Sequence, residues 1–335
     1  MANVDHAGID VGSRQLAVTL SRSGKLSRRV FPNTASGHEA ICRFLSRAGG
    51  LTRVCVEATG AYGLDLCLAL SRCDGVQVMV ANPRAVRRFA QALMERNKTD
   101  QIDADLLEQF ASRMPFSTWV PPSSSAMRLR AIARRLNALT VACAAEKNHL
   151  HAASLSQETP QLILEDIEQN IARLKDSIKK LTKQALATIS ADALLDARFR
   201  LALTACGIAQ TSAIAILGEL AWLPPDMDAR QWVAHAGLDP RHHTSGTSID
   251  KKPRISKAGN RYLRSALYMP ALTARHRDPA LKAFADHLLA RGKTPMQALI
   301  AVLRKLLVAL HAMFRKNEPF TSQKLFPRLP LSTQP

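Results

Sequence analysis

Two short, largely apolar segments near the N-terminus each carry a single carboxylate, and this limits which folds the chain can form. The segment from His6 to Gly12 contains Asp10, and the segment from Val54 to Ala58 contains Glu57. Short apolar runs bounded by turn residues are typical of buried strands. Because an unpaired carboxylate in such a strand is costly, we expect a sheet that holds both acids beside a cation, a proton or hydrogen-bond donors.

The residues around these segments alternate between strand and helix patterns. Two further strand-like runs are joined by a Ser23-Gly24 turn, and helical spacing then alternates with strand patterns as far as Asn82. The order predicts three antiparallel strands followed by alternating helices and strands, which makes an α/β domain with a mixed sheet. Ligands in such sheets bind at the carboxyl ends of the strands.

Three more carboxylates crowd into the stretch that follows, at Asp100, Asp103 and Asp105. Thr99 or Asp100 can cap a helix that begins there, and Asp100 and Asp103 then project from one face. Acids at the start of a helix are already favoured by the helix dipole. Together with the two strand carboxylates, however, this pair completes a four-acid set of the kind that suits hard divalent cations such as Mg²⁺.

The chain has a large positive surplus. It contains 46 Lys and Arg against 27 Asp and Glu, a formal net charge of +19. From Arg241 to the C-terminus there are 18 basic residues against 4 acidic ones, so 14 of the 19 surplus charges lie in the last third. A surplus of this size predicts a polyanionic partner, with nucleic acid as the first candidate.

The six cysteines form no C-x-x-C pair and no zinc-like spacing. Their apolar surroundings predict reduced thiols in the core of a cytoplasmic protein. The N-terminus lacks the apolar stretch of a signal peptide, and no uninterrupted apolar run reaches membrane-spanning length. We therefore expect a cytoplasmic protein without membrane contact.

Proline and serine residues between 115 and 125 predict a linker. After it, two runs with apolar residues at spacings of three and four predict a helical hairpin, or two arms of a coiled coil that joins protomers, over 126–190. Arg130, Arg134 and Arg135 on the first run are interpreted either as contacts to a nucleic-acid backbone or as a solvated helical face.

The segment from Leu203 to Ala213 resembles a helix-hairpin-helix, whose backbone N–H groups bind phosphate. Cys206 and Ala209 replace two residues of the usual P-G-I-G turn. A purely structural turn between two helices is the alternative.

A second dense motif lies in the turn-rich segment from Ala236 to Ser248, which we expect to be a loop. By itself its Ser-Gly pair indicates only a turn. The basic residues in and after this segment predict a phosphate-binding surface, with a solvated face as the alternative. They are Arg241, Lys251, Lys252, Arg254, Lys257, Arg261 and Arg264.

These motifs resemble one family. G-I-D-V-G at 8–12, V-E-A-T-G at 56–60 and N-K-T-D-x-x-D-A at 97–104 are similar to the RuvC-like, RNase-H-fold domain of DEDD-type insertion-sequence transposases. P-R-x-x-x-S-G, I-S-K-x-G-N and L-R-x-x-L-Y, between 240 and 268, resemble the C-terminal transposase domain of the same family. The family is related to Piv-type DNA invertases, and some members are guided by a bridge RNA.

For the acids, the resemblance implies a metal-binding tetrad of Asp10, Glu57, Asp100 and Asp103, with Mg²⁺ or Mn²⁺ as the ion. Asp105 falls outside the motif. We expect Asp105 to be a solvated helix acid.

For the second motif, the resemblance places the nucleophile of the family at Ser245, with Ser248 as the neighbouring alternative. His242 and His243 have no role in the pattern, and we interpret them as DNA-contact or loop residues.

Residues and resemblance together predict an RNase-H-like α/β domain over 1–114, a linker over 115–125, a helical hairpin over 126–190, a mainly α C-terminal transposase domain over 191–318 and a flexible tail over 319–335. The expected activity is DNA transposition or site-specific recombination through a covalent phosphoserine intermediate. The expected partners are donor and target double-stranded DNA, a bridge RNA and further copies of the chain in a dimer or tetramer. The alternatives are a RuvC-like nuclease or junction resolvase that uses water as nucleophile, and a non-catalytic nucleic-acid-binding protein.

Overall fold

A five-stranded mixed sheet occupies the N-terminal part of the computed structural model, as the sequence predicts. The structure describes residues 4–46, 50–57, 62–94, 99–245 and 249–325, without the side chains of 242–253. The strands are β1 (Asp5–Val11), β2 (Gln15–Arg22), β3 (Lys25–Pro32), β4 (Thr52–Glu57) and β5 (Val76–Ala81). They lie in the order β3-β2-β1-β4-β5, with β1, β2 and β3 antiparallel and β1, β4 and β5 parallel.

The hairpin between β2 and β3 turns at Ser23 and Gly24, as predicted. Both residues have positive φ angles, 51° and 80°. A two-residue turn with left-handed backbone at both positions matches the natural twist of the paired strands. This turn fixes the register in which Arg22 lies opposite Lys25 and Thr19 lies opposite Arg28.

Helices pack on both faces of the sheet, because side chains along a strand point alternately to its two faces. The helices of this region are α1 (Ala35–Ser46), α2 (Leu64–Leu70), α3 (Pro83–Ala92) and α4 (Asp100–Arg113). Ile9 and Val56 pack with α1 and α2, whereas Cys55 packs with α3 and α4. The face that carries Cys55 is therefore the face that α4 covers.

The chain divides into two compact units, residues 1–121 and residues 122–335. The second unit is mostly helical, in agreement with the expected mainly α C-terminal region. Its elements are α5 (Ser124–Ala153), α6 (Gln161–Ser190), α7 (Ala193–Leu203), α8 (Gln210–Leu220), α9 (Ala229–His235), β6 (Pro240–Ser245), β7 (Ile249–Ile255), α10 (Arg261–Arg277), α11 (Pro279–Ala290), α12 (Pro295–Lys316) and a short 3₁₀ helix (Ser322–Leu325).

Helices α5 and α6 form a long hairpin in the second unit. Each has 30 residues, which corresponds to about 45 Å of helix. Leu139, Cys143, Ile171 and Leu174 form one stretch of the apolar seam between them. A second cluster joins the start of α5 and the end of α6 to α7 and α8, so this end of the hairpin packs against the helices that follow it.

One helix among the described residues is long and apolar enough to cross a membrane, α12. Half of its apolar window is buried inside the second unit, where Val302, Leu306 and Leu310 are completely covered. Such burial is typical of the central helix of a globular core, because the helix is surrounded by other protein elements.

The expectation that all six cysteines are reduced core thiols is wrong for two of them. Cys42 on α1 and Cys73 after α2 form a disulfide, with their Cα atoms 6.0 Å apart. The two helices pack on the same face of the sheet and thereby bring these distant residues together. Cys55, Cys67 and Cys143 are buried free thiols, and Cys206 is half-buried.

Candidate functional site

Asp10 and Glu57 lie side by side at the carboxyl ends of two parallel strands. Ile9 of β1 is paired with Val56 of β4, so the two acids each follow this pair by one residue. Glu57 has the same side-chain parity as Cys55, and Asp10 has the same parity as Gly8. Both acids therefore belong to the face of the sheet that α4 covers.

Helix α4 brings the other two acids to this edge. Thr99 caps the helix by accepting a hydrogen bond from the backbone N–H of Ile102, so Asp100 and Asp103 lie in the first turn. The capped helix start was predicted and is confirmed. The helix lies so close to β1 that a β-carbon at Gly8 would collide with the carbonyl of Ala104 and the N–H of Glu108.

The electrostatics of Asp10 show that the four carboxylates share one neighbourhood. Burial raises the pKa of Asp10, and the negative charges of Asp103, Asp100 and Glu57 raise it further, to about 6. A hydrogen bond from the backbone of Val11 offsets part of this increase. A cation placed among the four acids would offset their mutual repulsion and favour the ionised form of Asp10.

The donor set fits a divalent cation in its chemistry, because all four side chains offer hard carboxylate oxygens. As the side chains are placed, no group of three or more His, Cys, Asp and Glu in the described ranges is arranged to hold an ion. The type of donor and the mutual repulsion at Asp10 are the two features that favour a cation here.

Asp105 is half-buried and paired with side chains of the sheet, so the expectation of a solvated helix acid is wrong. Its Oδ1 accepts a hydrogen bond of 2.6 Å from the Thr19 hydroxyl, and its Oδ2 accepts one of 2.9 Å from the Arg28 guanidinium. Burial alone would raise the pKa of Asp105, but the hydrogen bonds from Arg28, Thr19 and Gln101 hold it below its usual value. The partners lie on strands 77 and 86 residues away, so no local pattern predicts them.

An open cavity of about 360 Å³ lies beside this acidic edge. Its lining combines the start of α4 with strands β2 and β3: Gln15, Ala17, Val30, Thr99, Asp100 and Gln101. Ala17 is the cross-strand neighbour of Asp10, and Val30 is the neighbour of Ala17. The cavity therefore borders the row of the sheet that contains Asp10.

The second predicted centre forms a two-stranded ribbon, so the expectation of a loop is wrong. Strands β6 and β7 are antiparallel, and Ser245 is the last residue of β6, paired with Ile249. These strands are polar, and they lack the apolar alternation by which strands are recognised. The side chains of His242, His243, Ser245, Lys251 and Lys252 lie outside the described part of the structure, as does Ser248.

The remaining predicted phosphate contacts differ in exposure. Arg241, Arg254, Lys257 and Arg261 are exposed. Arg264 is half-buried and donates a hydrogen bond of 2.7 Å to the carbonyl of Ala236. One nitrogen of Arg264 therefore supports the backbone next to the ribbon.

A buried ionic cluster in the second unit was missed by the sequence reasoning. Glu219, with a side chain only 2% exposed, accepts hydrogen bonds of 2.7 and 3.0 Å from Arg134 and one of 2.6 Å from Asn260. Arg130 lies 3.5 Å from the same carboxylate and stacks on Trp222. A single glutamate in the apolar stretch from Ala213 to Leu220 of α8 was the available signal, because a buried charge needs partners.

This cluster changes the interpretation of the arginines on α5. Arg130 and Arg134 bind Glu219 within the second unit, so neither is simply part of a solvated helical face. Asn260 caps α10 through its side-chain oxygen while its amide nitrogen binds Glu219. The cluster thus ties α5 and α8 to the start of α10.

The turn that resembles a helix-hairpin-helix packs against α10. Gly207 adopts a φ angle of +87°, and a β-carbon there would collide with the carbonyl of Pro270 in α10. The N–H of Ala209 bonds to the Ser212 hydroxyl. The turn between α7 and α8 is therefore packed against protein at Gly207.

Comparison with known proteins decides the family. A transposase family model of the DEDD type matches residues 7–160, and a model of the transposase IS116/IS110/IS902 family matches residues 200–286. The pilin gene-inverting protein of Moraxella lacunata is 33% identical over 268 residues, which cover 79% of this chain and 80% of that protein. The chain belongs to the IS110 family of transposases.

Other relatives agree with this assignment. The pilin gene-inverting protein of Moraxella bovis is 32% identical over 268 residues, again 79% of this chain and 80% of that protein. An uncharacterized 43.6 kDa protein of the insertion element IS110 in Streptomyces coelicolor is 36% identical over 95 residues, 28% of this chain and 23% of that protein.

As an IS110-family transposase, the chain is an enzyme of DNA recombination. Its DEDD-type domain implies an RNase-H-like fold and belongs to a class that uses divalent metal ions. The matched range 7–160 contains all four acids of the sheet edge, and the range 200–286 contains the β6–β7 ribbon.

Proposed function

We propose that this IS110-family transposase cuts and rejoins DNA strands, with Asp10, Glu57, Asp100 and Asp103 as its metal-binding carboxylates. The observation that carries the proposal is the placement of the acids: Asp10 and Glu57 end two paired parallel strands, and the capped first turn of α4 carries Asp100 and Asp103. The raised pKa of Asp10, to which the other three acids contribute, agrees with this placement. Four acids at the carboxyl edge of a mixed sheet are suited to phosphodiester chemistry, because the reaction develops negative charge that cations neutralise.

Mg²⁺, or Mn²⁺ in its place, supplies charge neutralisation at the transferred phosphate when it is bound by these carboxylates. The role of the chain is to hold the four side chains in one place before the ion arrives. Asp10 and Glu57 are held by paired strands, and Asp100 and Asp103 by a capped helix. Such a division between rigid elements favours a defined geometry.

We assign Ser245 as the nucleophile. Its hydroxyl oxygen forms a bond to phosphorus and gives up its proton, the bond from phosphorus to the leaving deoxyribose oxygen breaks, and that oxygen takes up a proton and leaves as a free hydroxyl. The product is a phosphoserine ester to one DNA strand, and a second strand's hydroxyl reverses the step. Support comes from the position of Ser245 at the end of β6 in a basic ribbon, within the matched transposase range.

The alternative is a RuvC-like reaction in which water attacks the phosphate. It is favoured by the DEDD-type domain, whose matched range, 7–160, contains the four acids and does not include Ser245. Both reactions use the four carboxylates, and they differ in whether protein becomes linked to DNA.

The deciding experiment incubates the purified chain with labelled DNA and Mg²⁺, followed by denaturing electrophoresis. We expect a labelled protein–DNA adduct for the wild type, none for Ser245→Ala, and an undiminished adduct for Ser248→Ala. Cleavage without an adduct in the wild type, or an adduct that persists in Ser245→Ala, would overturn the serine mechanism. Asp10→Asn is expected to abolish cleavage under either mechanism.

The positive charge of the chain and its membership of a transposase family both point to nucleic-acid partners. We propose that the exposed basic residues Arg241, Arg254, Lys257 and Arg261 contact phosphates of donor and target DNA, together with Lys251, Lys252 and Arg264. The surplus of +19 charges supports a nucleic-acid partner and agrees with a bridge RNA. Co-purification of a defined RNA, transcribed from sequence flanking the gene, tests the bridge RNA; recovery of random RNA alone would contradict it.

Strand exchange joins several DNA ends, so we propose a dimer or tetramer assembled through the α5–α6 hairpin acting as a coiled coil. Two cases are open in this assembly: the four acids and the Ser245 that act in one reaction belong either to one protomer or to two different protomers. Mixing Asp10→Asn chains with Ser245→Ala chains separates these cases: restored activity indicates a site shared between protomers, and no restoration indicates a site within one protomer.

The pilin gene-inverting relatives support a second outcome, inversion of a DNA segment between two sites. Inversion and insertion use the same cutting and rejoining steps and differ in the arrangement of the sites. A plasmid that carries two candidate sites in opposite orientation tests this outcome, because inversion changes its restriction pattern.

A further inference from the structure

We infer that Asp105, together with Arg28 and Thr19, positions helix α4 so that Asp100 and Asp103 face Asp10. The inference rests on the proposed metal-binding role of the four carboxylates. Asp105 lies two residues after Asp103, yet its own oxygens are occupied by partners from the sheet. It acts on the site through the helix and is a positioning residue.

The contacts of Asp105 form a network that joins the helix to two strands. Arg28 donates from Nε to both oxygens, at 3.0 Å to Oδ1 and 3.2 Å to Oδ2, and from Nη2 to Oδ2 at 2.9 Å. The hydroxyl of Thr19, a completely buried residue, donates to Oδ1 at 2.6 Å. The amide of Gln101, one helical turn before Asp105, donates to the Thr19 hydroxyl at 2.7 Å. A two-pronged guanidinium–carboxylate contact restrains direction as well as distance.

The partners lie in the row of the sheet next to the row of Asp10. Gly8, Thr19 and Arg28 are opposite one another across β1, β2 and β3. On the same face, the next row contains Asp10, with Ala17 on β2. Residues two apart along a strand are separated by roughly 7 Å, so the Asp105 contacts hold α4 within one residue pair of the carboxylate cluster.

Close packing at Gly8 fixes how near α4 lies to the sheet. Buried Leu107 and Phe110 limit the rotation of the helix, and the directional contacts of Asp105 restrain it further. Successive helical residues are about 100° apart around the axis. Asp105 is therefore about 160° from Asp103 and about 140° from Asp100, viewed down the helix. A rotation of α4 that releases Asp105 from Arg28 swings both metal-binding acids away from their present direction.

The test measures Mn²⁺ binding to the full chain by electron paramagnetic resonance of the unbound ion, which requires no DNA and no turnover. We expect Asp105→Asn and Arg28→Gln each to weaken Mn²⁺ binding by about tenfold or more, the range found for residues that orient metal ligands. The double variant is expected to bind Mn²⁺ no more weakly than the single variant with the larger loss of binding, because both changes remove the same contact.

A matched control is available in the same sheet. Arg22 forms an ion pair of 2.7 Å with Asp5, on the side of the sheet remote from the start of α4. Arg22→Gln removes an Arg–Asp pair without touching α4, and we expect it to bind Mn²⁺ within about twofold of the wild type. Thr19→Ser, which keeps the hydroxyl, is expected to bind as the wild type, and Thr19→Val to bind more weakly.

The outcomes separate this inference from the proposed function. If the wild type does not bind Mn²⁺, or if Asp10→Asn binds it equally well, the carboxylate site itself is wrong. If Asp10→Asn loses binding while Asp105→Asn and Arg28→Gln bind as tightly as the wild type, only the positioning role is wrong. A melting temperature that falls for Asp105→Asn and Arg22→Gln alike, with unchanged Mn²⁺ affinity in both, would reduce Asp105 to a structural contact.

Discussion

Gly8 of β1 lies against the backbone carbonyl of Ala104 in α4, so close that no β-carbon fits between them. This contact lets α4 lie on the sheet with its first turn beside Asp10. The requirement is steric and not conformational, since the left-handed backbone that favours glycine is not found at Gly8. The placement of α4 beside Asp10 thus depends on the absence of a side chain at Gly8, two residues before Asp10.

The first prediction concerns this contact. Gly8→Ala should destabilise the protein by about 1–3 kcal/mol or more, because the new methyl group must displace α4 or distort β1. Urea unfolding measures the loss. Gly63→Ala is the control: a β-carbon at Gly63 would meet the methyl groups of Val11 at 3.7 Å, an ordinary contact. Equal stability losses in the two variants would contradict the steric explanation.

The second prediction concerns the charge of Asp10. Its pKa of about 6 in the folded chain lies above the ordinary value of 3.8, so the folded state binds this proton more tightly. The resulting stability is present below pH 3.8 and is lost as pH rises through about 6. Asp10→Asn should therefore raise the melting temperature of the metal-free protein at pH 7.5, and have little effect at pH 4.

Divalent ions should reverse the effect of that substitution. Added Mg²⁺ should raise the melting temperature of the wild type more at pH 7.5 than at pH 5, since the carboxylate must lose its proton to bind an ion. For Asp10→Asn this rise should be largely absent. A wild-type melting temperature that responds equally to Mg²⁺ at both pH values would count against an Asp10 that titrates near 6.

The third prediction concerns Glu219. Glu219→Gln should destabilise the second unit by about 3–5 kcal/mol, because Arg134 and Arg130 then remain half-buried beside a neutral amide. Glu318→Gln, which breaks the exposed pair with Lys324, is the control and should have no measurable effect. Denaturant unfolding of both variants checks the difference.

The stability that Glu219 contributes should be lost at low pH. Burial by itself raises the pKa of Glu219, but the hydrogen bonds from Arg134 and Asn260 and the charges of Arg134 and Arg130 hold it below its ordinary value of 4.5. The stability contributed by a carboxyl with a lowered pKa is present above its ordinary value and is lost as pH falls through the lowered one. The stability difference between wild type and Glu219→Gln should therefore shrink below pH 4.5. A difference that stays constant down to pH 3 would contradict an ionised Glu219.

The fourth prediction concerns the disulfide between Cys42 and Cys73, which are 31 residues apart. Closing a loop of this length is expected to stabilise the oxidised protein by about 3–4 kcal/mol. Cys42→Ser should remove this increment under oxidising conditions and change little in the presence of a reductant. Mass spectrometry of the unreduced protein should show the linked pair, and Cys206→Ser serves as the control that leaves it intact.

The mixed sheet, the capped start of α4 and the helical second unit could be predicted from the sequence. These features depend on local patterns: apolar runs between turns, a Ser-Gly hairpin, and a threonine before a run of helical spacing. Asp10 and Glu57 were recognisable as candidates for the same reason, because a carboxylate in an apolar strand is unusual in any fold. The motif resemblance then grouped them with Asp100 and Asp103.

Which charged groups contact one another could be read only from the folded chain. Asp105 binds Arg28 and Thr19 across 77 and 86 residues, Glu219 binds Arg134 and Asn260 across 85 and 41, and Cys42 reaches Cys73 when two helices pack together. The same is true of the polar ribbon that carries Ser245, whose strands show no apolar alternation. A sequence records the type and spacing of residues, whereas the partner of a charge depends on strand order and helix packing, which bring distant parts of the chain into contact.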